Sequence, residues 1–126
     1  MAYSVGTKNI TGVAGETMAI YRFVNPQSDQ TWDMADVPAD LVGGISAEAV
    51  ASGVEFPIAT FNGAIGLIEL GATIAAAVMV SAGTNGVAAA ASTSGGELLV
   101  GPLLVGGDSG EIVPIMMIAR TVNEDT

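Results

Sequence analysis

The strongest constraint on the fold of this chain is an internal repeat. Gly15–Val24 (GETMAIYRFV) returns 56 residues later as Gly71–Val80 (GATIAAAVMV), with Gly, Thr, Ala and Val in register. Two further blocks follow in the same order: Leu41–Gly43 matches Leu99–Gly101 at an offset of 58, and Ser52–Ile58 matches Ser109–Ile115 at an offset of 57. Three ordered blocks predict a tandem duplication, and a duplication decides how everything else in the sequence is read.

The length of the chain fits one domain. Its 126 residues can bury roughly two thirds of the unfolded surface, and two copies are too few for an open-ended solenoid, which needs about three or more. We therefore expect one closed domain with internal pseudo-twofold symmetry. The predicted division is an extended N-terminal arm over residues 1–14, a single β domain over 15–122 with repeat halves at about 15–61 and 71–118, and a polar tail over 123–126.

Short apolar runs between Gly, Asn and Asp turns indicate strands. Residues 17–24 and 64–70 alternate in the way that predicts a strand. Residues 74–80 are rich in alanine, the best helix former. We nevertheless predict a strand there, because the run is short, contains β-branched valines and is the counterpart of 18–24.

Turn signals complete the assignment of the fold class. Asn85-Gly86 is the strongest hairpin signal, because both central residues of a type I′ turn need positive φ. Pro57 and its counterpart Pro114 predict edge strands or strand starts, because proline has no N–H to donate. The predicted fold is all-β: a compact barrel or sandwich of short antiparallel strands.

Charge narrows the range of partners. Thirteen acidic residues against three basic ones give a net charge of −10 and a pI near 4.1. We predict no nucleic-acid partner, because that binding needs clustered Lys and Arg, and no membrane partner, because an anionic surface would repel the chain. The N-terminus lacks a signal-peptide pattern, and the apolar run 74–80 is far shorter than the roughly 20 residues of a membrane span.

The residue types available also limit the chemistry. The chain has no His and no Cys, which removes Ser-His-Asp and Cys-His catalysis and the common zinc ligands. We therefore predict a protein that is not an enzyme and that has no cofactor and no metal. The remaining acidic groups are the pairs Glu48 with Glu55 and Asp108 with Glu111, which could flank a glycosidic bond, and the run Asp33, Asp36 and Asp40, which could collect Ca²⁺. We interpret them as solvated turn carboxylates.

Three segments resemble the small capsid decoration, or cement, proteins of tailed bacteriophages. In that family a YRFV-like strand, a G-x-x-x-E-A-x-A-G segment and a G-x-x-I-x-A-G-x-x-V segment with a later G-x-V-x-A occur in this order. The matching residues here are Met18–Val24, Gly44–Gly53, and Gly71–Ala75 followed by Gly86–Ala90. The resemblance covers about residues 15–118. The chain departs from the family where Ala76-Ala77 replace the usual Gly-Asp, and where Gln27–Gln30 and Thr84–Gly86 replace Asp-Gly turns.

The resemblance implies a β-rich protein, often trimeric, that sits on the outer face of an expanded head and ties neighbouring capsomers together. The implied partners are the major capsid protein and further copies of the chain in a homotrimer. The implied location is the outer surface of the virion, after synthesis in the host cytoplasm.

Candidate interface residues come from the arm and from the single Trp. We expect the arm to lie along, or add a strand to, a capsid protein, where backbone hydrogen bonds supply affinity. Trp32 could anchor an interface, since Trp is enriched at hot spots, or could equally fold back onto the core. The candidate capsid or subunit contacts are therefore Tyr3, Val5, Lys8, Ile10 and Trp32.

Three other functions stay open at this point. A tail or fibre subunit of a virion would have similar sequence properties. A carbohydrate-binding or surface-binding β-module would bind a glycan as an isolated monomer, although only 5% of the residues are aromatic. A carboxylate-dependent hydrolase, which ranks last, would depend on Glu48 or Glu55.

Overall fold

The computed structural model describes residues 8–38, 40–60, 64–91, 98–117 and 121–122. These ranges contain twelve strands and one short 3-10 turn. The first half holds β1 (Lys8–Val13), β2 (Phe23–Pro26), β3 (Trp32–Met34), β4 (Gly44–Ser46) and β5 (Glu55–Thr60). The second holds β6 (Ala64–Glu69), β7 (Met79–Ala82), the turn Thr84–Gly86, β8 (Ala88–Ala90), β9 (Leu98–Leu99), β10 (Gly101–Pro102), β11 (Ile112–Met117) and β12 (Thr121–Val122).

The two halves share one sheet topology. The first half forms an antiparallel sheet in the order β1-β5-β4-β2-β3. In the second half β6 pairs with β11, and β10 pairs with β7, which pairs with β8. An antiparallel bridge between Leu103 and Ile115 joins these groups into the order β6-β11-β10-β7-β8. Strands β9 and β12 form a separate pair. The all-β prediction is confirmed, with a sandwich-like arrangement of antiparallel sheets.

Backbone hydrogen bonds confirm the tandem duplication. Met18 and Val50 exchange a pair of N–H to C=O bonds, and Ile74 and Gly107 do the same. The left-handed residues also recur, since Tyr21 has φ 63° and Ala77, 56 residues later, has φ 69°. Equivalent bonds in both halves show that the repeat is structural and does not arise from chance matches between Gly- and Ala-rich segments.

One block of the sequence alignment is displaced by one residue. The N–H of Gly43 donates to the carbonyl of Val24, and the N–H of Val100 donates to the carbonyl of Val80. Gly43 therefore corresponds to Val100, at an offset of 57, and not to Gly101 at an offset of 58. Ala35 still corresponds to Ala91 at an offset of 56. The second half therefore has one more residue between Ala91 and Val100 than the first half has between Ala35 and Gly43, which accounts for the change in offset to 57.

The structural repeat begins at residue 8, seven residues before the start predicted from sequence. Lys8–Val13 is strand β1, which pairs along its length with β5, as β6 pairs with β11. The part of the predicted arm that the structure describes is therefore an edge strand of the first sheet. Residues 1–7 and 123–126 lie outside the described residues.

Two predicted strands are shorter than the alternation suggested. Strands β2 and β7 begin at Phe23 and Met79, whereas the sequence predicted strands from 17 and 74. The positive φ of Tyr21 and Ala77 turns the chain just before each strand, and extended backbone cannot continue through that conformation. The residues before it make a single bridge to the opposite loop, which alternation alone cannot distinguish from a strand.

The two prolines lie in interior strands, so the edge prediction was wrong for both. Strand β5, which contains Pro57, has β1 on one side and β4 on the other. The Pro57 carbonyl accepts from the N–H of Ala47, and the Pro114 carbonyl accepts from the N–H of Leu104. In a strand, the N and the C=O of one residue point towards the same neighbouring strand. Each proline nitrogen therefore points towards a residue just after the end of the neighbouring strand. No hydrogen bond of the ladder is required there, so the missing N–H is tolerated.

The Asn-Gly hairpin is confirmed between β7 and β8. Asn85 has φ 58° and Gly86 has φ 77°, the positive values that such a turn requires. A Cβ on Gly86 would lie 2.5 Å from the carbonyl oxygen of Phe23. Glycine is therefore needed at this position both for its backbone conformation and for the close approach of the first half.

The first sheet has an inner face and an outer face with different partners. The inner face carries Val24, Phe56 and Ile58, which form a small core with Ala14 and Met18 from the same half. The outer face carries Phe23, Ile45 and Ala59, aligned across β2, β4 and β5. These three residues belong to a larger core built mostly from the second half.

Counterpart residues show how the halves are stacked. The five residues of the small core correspond to Leu70, Ile74, Val80, Val113 and Ile115, and all five lie in the larger core. A Cβ on Gly66, in β6, would lie 3.2 Å from the side chain of Ile45. The outer face of the first sheet therefore packs on the inner face of the second. A twofold arrangement, predicted from the repeat, would pack the two outer faces or the two inner faces together, so the halves are instead stacked head to tail.

Size differences explain why only the second inner face accepts a partner. Trp32 lies over the inner face of the first sheet, where Cβ atoms on Gly12 and Gly43 would come within 2.7 Å of its ring. Its counterpart in the second half is Ala88, which is fully buried. The small residue leaves room for side chains such as Phe23, whereas the indole closes the first inner face.

Candidate functional site

The acidic pairs are parts of turns. The N–H of Asp108 donates to Oε1 of Glu111 at 2.7 Å, and the N–H of Glu111 donates to the Asp108 carbonyl at 3.0 Å. The hydroxyl of Thr73 donates to Oδ1 of Asp108 at 3.2 Å. Glu48 and Glu55 are both exposed. These contacts stabilise local backbone structure and bring no acid pair into a cleft.

The acidic run is divided between different contacts. Asp40 accepts from the N–H of Asp36 at 2.9 Å, and Asp36 accepts from the N–H of Asn85 at 3.1 Å. Within the described ranges, no three His, Cys, Asp or Glu side chains lie together in a way that could hold a metal ion. The described part of the chain also contains no helix long and apolar enough to cross a membrane.

One carboxyl group has a shifted pKa, and it too belongs to a turn. The hydroxyl of Thr31 donates to Oδ1 of Asp29 at 2.6 Å, and the N–H of Thr31 donates to the same oxygen at 3.1 Å. These bonds lower the pKa of Asp29 below its ordinary value of 3.8, because they favour the charged carboxylate. Asp29 is fully exposed, and the shift therefore reports turn geometry and does not mark a reactive site.

The junction between the halves uses one of the few basic residues. A guanidinium nitrogen of Arg22 lies 3.2 Å from Oε2 of Glu69, and another donates to the carbonyl of Asn85 at 3.0 Å. The N–H of Glu69 donates to the Tyr21 carbonyl at 3.0 Å. Arg22 therefore links β6 and the β7–β8 hairpin to the first sheet, and its charge is used inside the chain.

The structure describes the side chains of only two of the five predicted interface residues. Tyr3 and Val5 lie outside the described residues, as does the side chain of Lys8. Ile10 lies on edge strand β1 and is 45% exposed. Trp32 is half-buried and packs against the small core, so it folds back on its own sheet. The structure therefore brings Trp32 and the C-terminal end of β1 together through the Ala14–Trp32 bridge.

Sequence reasoning missed an apolar surface on the second sheet. In the antiparallel pair of β6 and β11, one face carries Ile65 opposite Met116, Leu67 opposite Pro114, and Glu69 opposite Ile112. Met116 is 36% exposed and Ile112, on the same face, is 37% exposed. This surface is the outer face of the second sheet. A comparison of the two halves strand by strand would have indicated this surface. That comparison requires the correspondence between β1 and β6, which the sequence repeat did not include.

Comparisons with known proteins bear on the fold. The structure is similar to the crystal structure of the N base of the head fibre protein gp8.5 of bacteriophage phi29. The TM-score is 0.72 at 16% sequence identity, and the match covers 89% of this chain and 94% of the other. No protein-family model matches the sequence, and comparison with curated protein sequences also gave no match. At this identity the similarity shows a shared fold.

Proposed function

We propose that this chain is a structural protein of a tailed-phage virion that attaches to the outer surface of the head. The observation that carries the proposal is the structural match over nearly the whole of both chains to a protein described as the base of a phage head fibre. The sequence resemblance to phage head decoration proteins supports it independently, because it comes from short motifs and not from the fold.

Two roles at the head surface fit this proposal. As a decoration protein, the chain would bind the major capsid protein at many equivalent positions as a homotrimer and stabilise contacts between capsomers, with many weak contacts adding up through multivalency. As a fibre base, it would occupy fewer positions and hold a distal part outward. The structural neighbour favours the second role, and the sequence motifs favour the first.

The proposed capsid contact is the free side of β1 with the residues before it. Strand β1 lies at the edge of its sheet, with β5 on one side, and edge strands offer backbone groups for pairing with another chain. Ile10 on this strand is exposed. The net charge of −10 would favour a basic capsid surface and keep the chain away from packaged DNA. We propose no catalytic role, because a structural attachment needs none.

Cosedimentation with phage heads tests the proposal. Purified chain is mixed with undecorated expanded heads and with unexpanded heads, and bound chain is counted per particle. Saturable binding to expanded heads supports attachment, with hundreds of copies favouring decoration and a small number favouring a fibre base. Absence of binding to either form contradicts attachment.

Matched variants test the proposed contact. Ile10→Glu adds a charge on the β1 edge, and Val37→Glu adds the same charge at a site that is 49% exposed elsewhere on the first half. We expect Ile10→Glu to weaken head binding at least about tenfold, because an edge contact would bury the new charge. Val37→Glu should bind as the wild type does, and equal binding of both variants would remove β1 from the interface.

A further inference from the structure

A pocket between the two halves lies beside strand β6. Its volume is about 80 Å³, several times the roughly 10–15 Å³ that one water molecule needs. The residues that line it come from both halves and include Tyr21, Ile45, Ala47 and Ala59 from the first and Gly66 and Leu67 from the second. Both residues of the second half belong to β6, and none belongs to β11, which pairs with β6. The pocket therefore lies on the side of β6 that faces away from β11.

Backbone groups of β6 point towards this side. The N–H of Leu70 donates to the Glu111 carbonyl, whereas the N–H of Glu69 donates to the Tyr21 carbonyl at 3.0 Å. Alternate residues of a strand direct their N–H and C=O to the same side, so the backbone of Leu67 points away from β11, as that of Glu69 does. Among the described residues, none forms a hydrogen bond with the N–H or the carbonyl of Leu67. Tyr21 therefore pairs with one end of this edge and leaves the part beside the pocket open.

The walls of the pocket suit an apolar side chain. Ile45, Ala47 and Ala59 supply aliphatic groups, and Tyr21 supplies a ring. Ser46 also lines the pocket, but its hydroxyl already makes two hydrogen bonds to the backbone of the first half. A polar side chain would lose its contacts with water there without gaining equivalent ones, so an apolar side chain is the better fit.

The counterpart edge in the first half lacks this apolar wall. Thr11 of β1 corresponds to Leu67 of β6, and Thr11 is exposed. Beside β6 the wall is the outer face of the first sheet, which the head-to-tail stacking brings close: a Cβ on Gly66 would lie 3.2 Å from the side chain of Ile45. No further half is stacked beside β1 in the same way. An open backbone edge next to an apolar pocket is therefore a feature of β6 that the stacking creates.

From these observations we infer that the β6 groove, formed by the free edge of β6 and the wall of Tyr21, Ile45, Ala47 and Ala59, binds an extended peptide segment of the capsid protein. The segment adds as a strand beside Leu67 and places one apolar side chain in the pocket. In strand addition the backbone hydrogen bonds supply affinity and such a pocket supplies specificity. An extended polypeptide is the ligand whose N–H and C=O groups match a strand edge, and the net charge of −10 favours a segment that also carries Lys or Arg. The inference rests on the proposed attachment to a phage head and adds a contact separate from β1.

A substitution taken from the repeat tests the pocket. The N–H of Ala47 donates to the Pro57 carbonyl as that of Leu104 donates to the Pro114 carbonyl, so Leu104 is the counterpart of Ala47 and leucine is compatible with this backbone position. Ala47→Leu therefore fills the pocket from within. Ala49→Leu is the control, because it makes the same change two residues away at an exposed position. Circular dichroism checks the fold of both variants, and cosedimentation over a concentration series measures their binding to undecorated expanded heads.

Ala47→Leu should weaken head binding at least about tenfold, because it excludes a partner side chain whose burial contributes that much or more. Ala49→Leu should bind as the wild type does. Equal binding of Ala47→Leu and the wild type overturns the inference, while attachment to the head stands. Absence of head binding by the wild type contradicts the attachment itself, and the inference with it.

Hydrogen exchange provides a second readout that needs no substitution. In the wild type bound to expanded heads, amide exchange in the peptide that contains β6 should slow at least about tenfold, because the N–H of Leu67 gains a partner. The peptide that contains β8 should exchange at the rate of the free protein. Unchanged exchange in β6 on particles that carry the chain overturns the inference. Protection of β6 that is already present in the free protein and is lost when residues 2–7 are deleted would assign the groove to the chain's own N-terminal segment, which also overturns it.

Discussion

Two serines are buried, but only one of them makes hydrogen bonds, and this difference provides a test of the packing. Both Ser46 and Ser81 are fully buried, at 0% exposure. The hydroxyl of Ser46 donates to the Ala19 carbonyl at 2.6 Å and accepts from the N–H of Arg22 at 3.1 Å. Within the described part of the chain, the hydroxyl of Ser81 is a buried group with no hydrogen-bond partner. Replacing each serine by alanine should therefore change the free energy of unfolding in opposite directions.

The magnitudes follow from the cost of unpaired polar groups. Ser46→Ala removes two hydrogen bonds and leaves their partners unsatisfied, which should lower the free energy of unfolding by about 2 kcal/mol. Ser81→Ala removes a desolvated hydroxyl that gains nothing in the folded state, which should raise it by about 1 kcal/mol. The two variants should thus differ by about 3 kcal/mol although the chemical change is the same.

Urea unfolding measures this difference directly. At one protein concentration, the midpoint should move down for Ser46→Ala and up for Ser81→Ala with the slope unchanged. Ser28→Ala, at an exposed position in the β2–β3 turn, is the control and should shift the free energy by less than about 0.5 kcal/mol. A destabilised Ser81→Ala variant would refute the reasoning, because it would mean that the hydroxyl makes a favourable contact in the folded protein.

Two further predictions use single substitutions. Phe23→Ala should lower the free energy of unfolding by about 3–5 kcal/mol, because the ring is fully buried between the halves. Met79→Ala, at the counterpart position, should lower it by about 1 kcal/mol or less. Equal decreases for the two variants in denaturant unfolding would contradict the head-to-tail stacking. In an NMR titration, the pKa of Asp29 should lie below 3.8 and should rise in Thr31→Val, and an unchanged value would show that the Thr31 bonds are not its cause. Because this pKa is lowered in the folded state, the stability it contributes is present above the unfolded value and is lost as the pH falls through the folded one.

The fold class and the duplication could be predicted because both depend on local patterns. Gly15–Val24 and Gly71–Val80 both begin with a glycine at which a Cβ would clash with a neighbouring side chain, so the residue type is limited there. Strand β1 was not recognised as part of the repeat from the sequence, because Lys8–Val13 and Ala64–Glu69 have no identical residue at matched positions. A strand in a sheet requires only a suitable pattern of burial, so its amino-acid sequence can change while its pairing with the neighbouring strand is kept.

The stacking of the halves could not be predicted from periodicity. Alternation shows that neighbouring residues such as Phe23 and Val24 face opposite sides of a sheet, but it does not show which side is covered by what. Phe23 and Met79 are both apolar, yet Phe23 is fully buried and Met79, on the outer face of the second sheet, is half-buried. The difference depends on Ala88 standing where the first half has Trp32, a change in side-chain volume whose effect appears only once the sheets are placed together.

The candidate interface residues from the arm remain predictions. Ile10 lies on a sheet edge and is exposed, in a position compatible with a partner strand. Trp32 was open to two interpretations because a single Trp in an acidic loop fits both an interface and a core. Its contacts with Gly12 and Gly43 show that it packs on its own sheet. These glycines are the sequence signal for its position, since each lies where a Cβ would meet the indole ring.

Immunogold labelling of intact particles tests the central claim most directly. An antibody raised against the purified chain is applied to virions of the phage that encodes it, with particles from which the gene has been deleted as the control. The account predicts gold on the outer surface of the head and none on the deletion particles. Absence of the chain from intact virions, with the chain present in the infected cell, would contradict a structural role at the head.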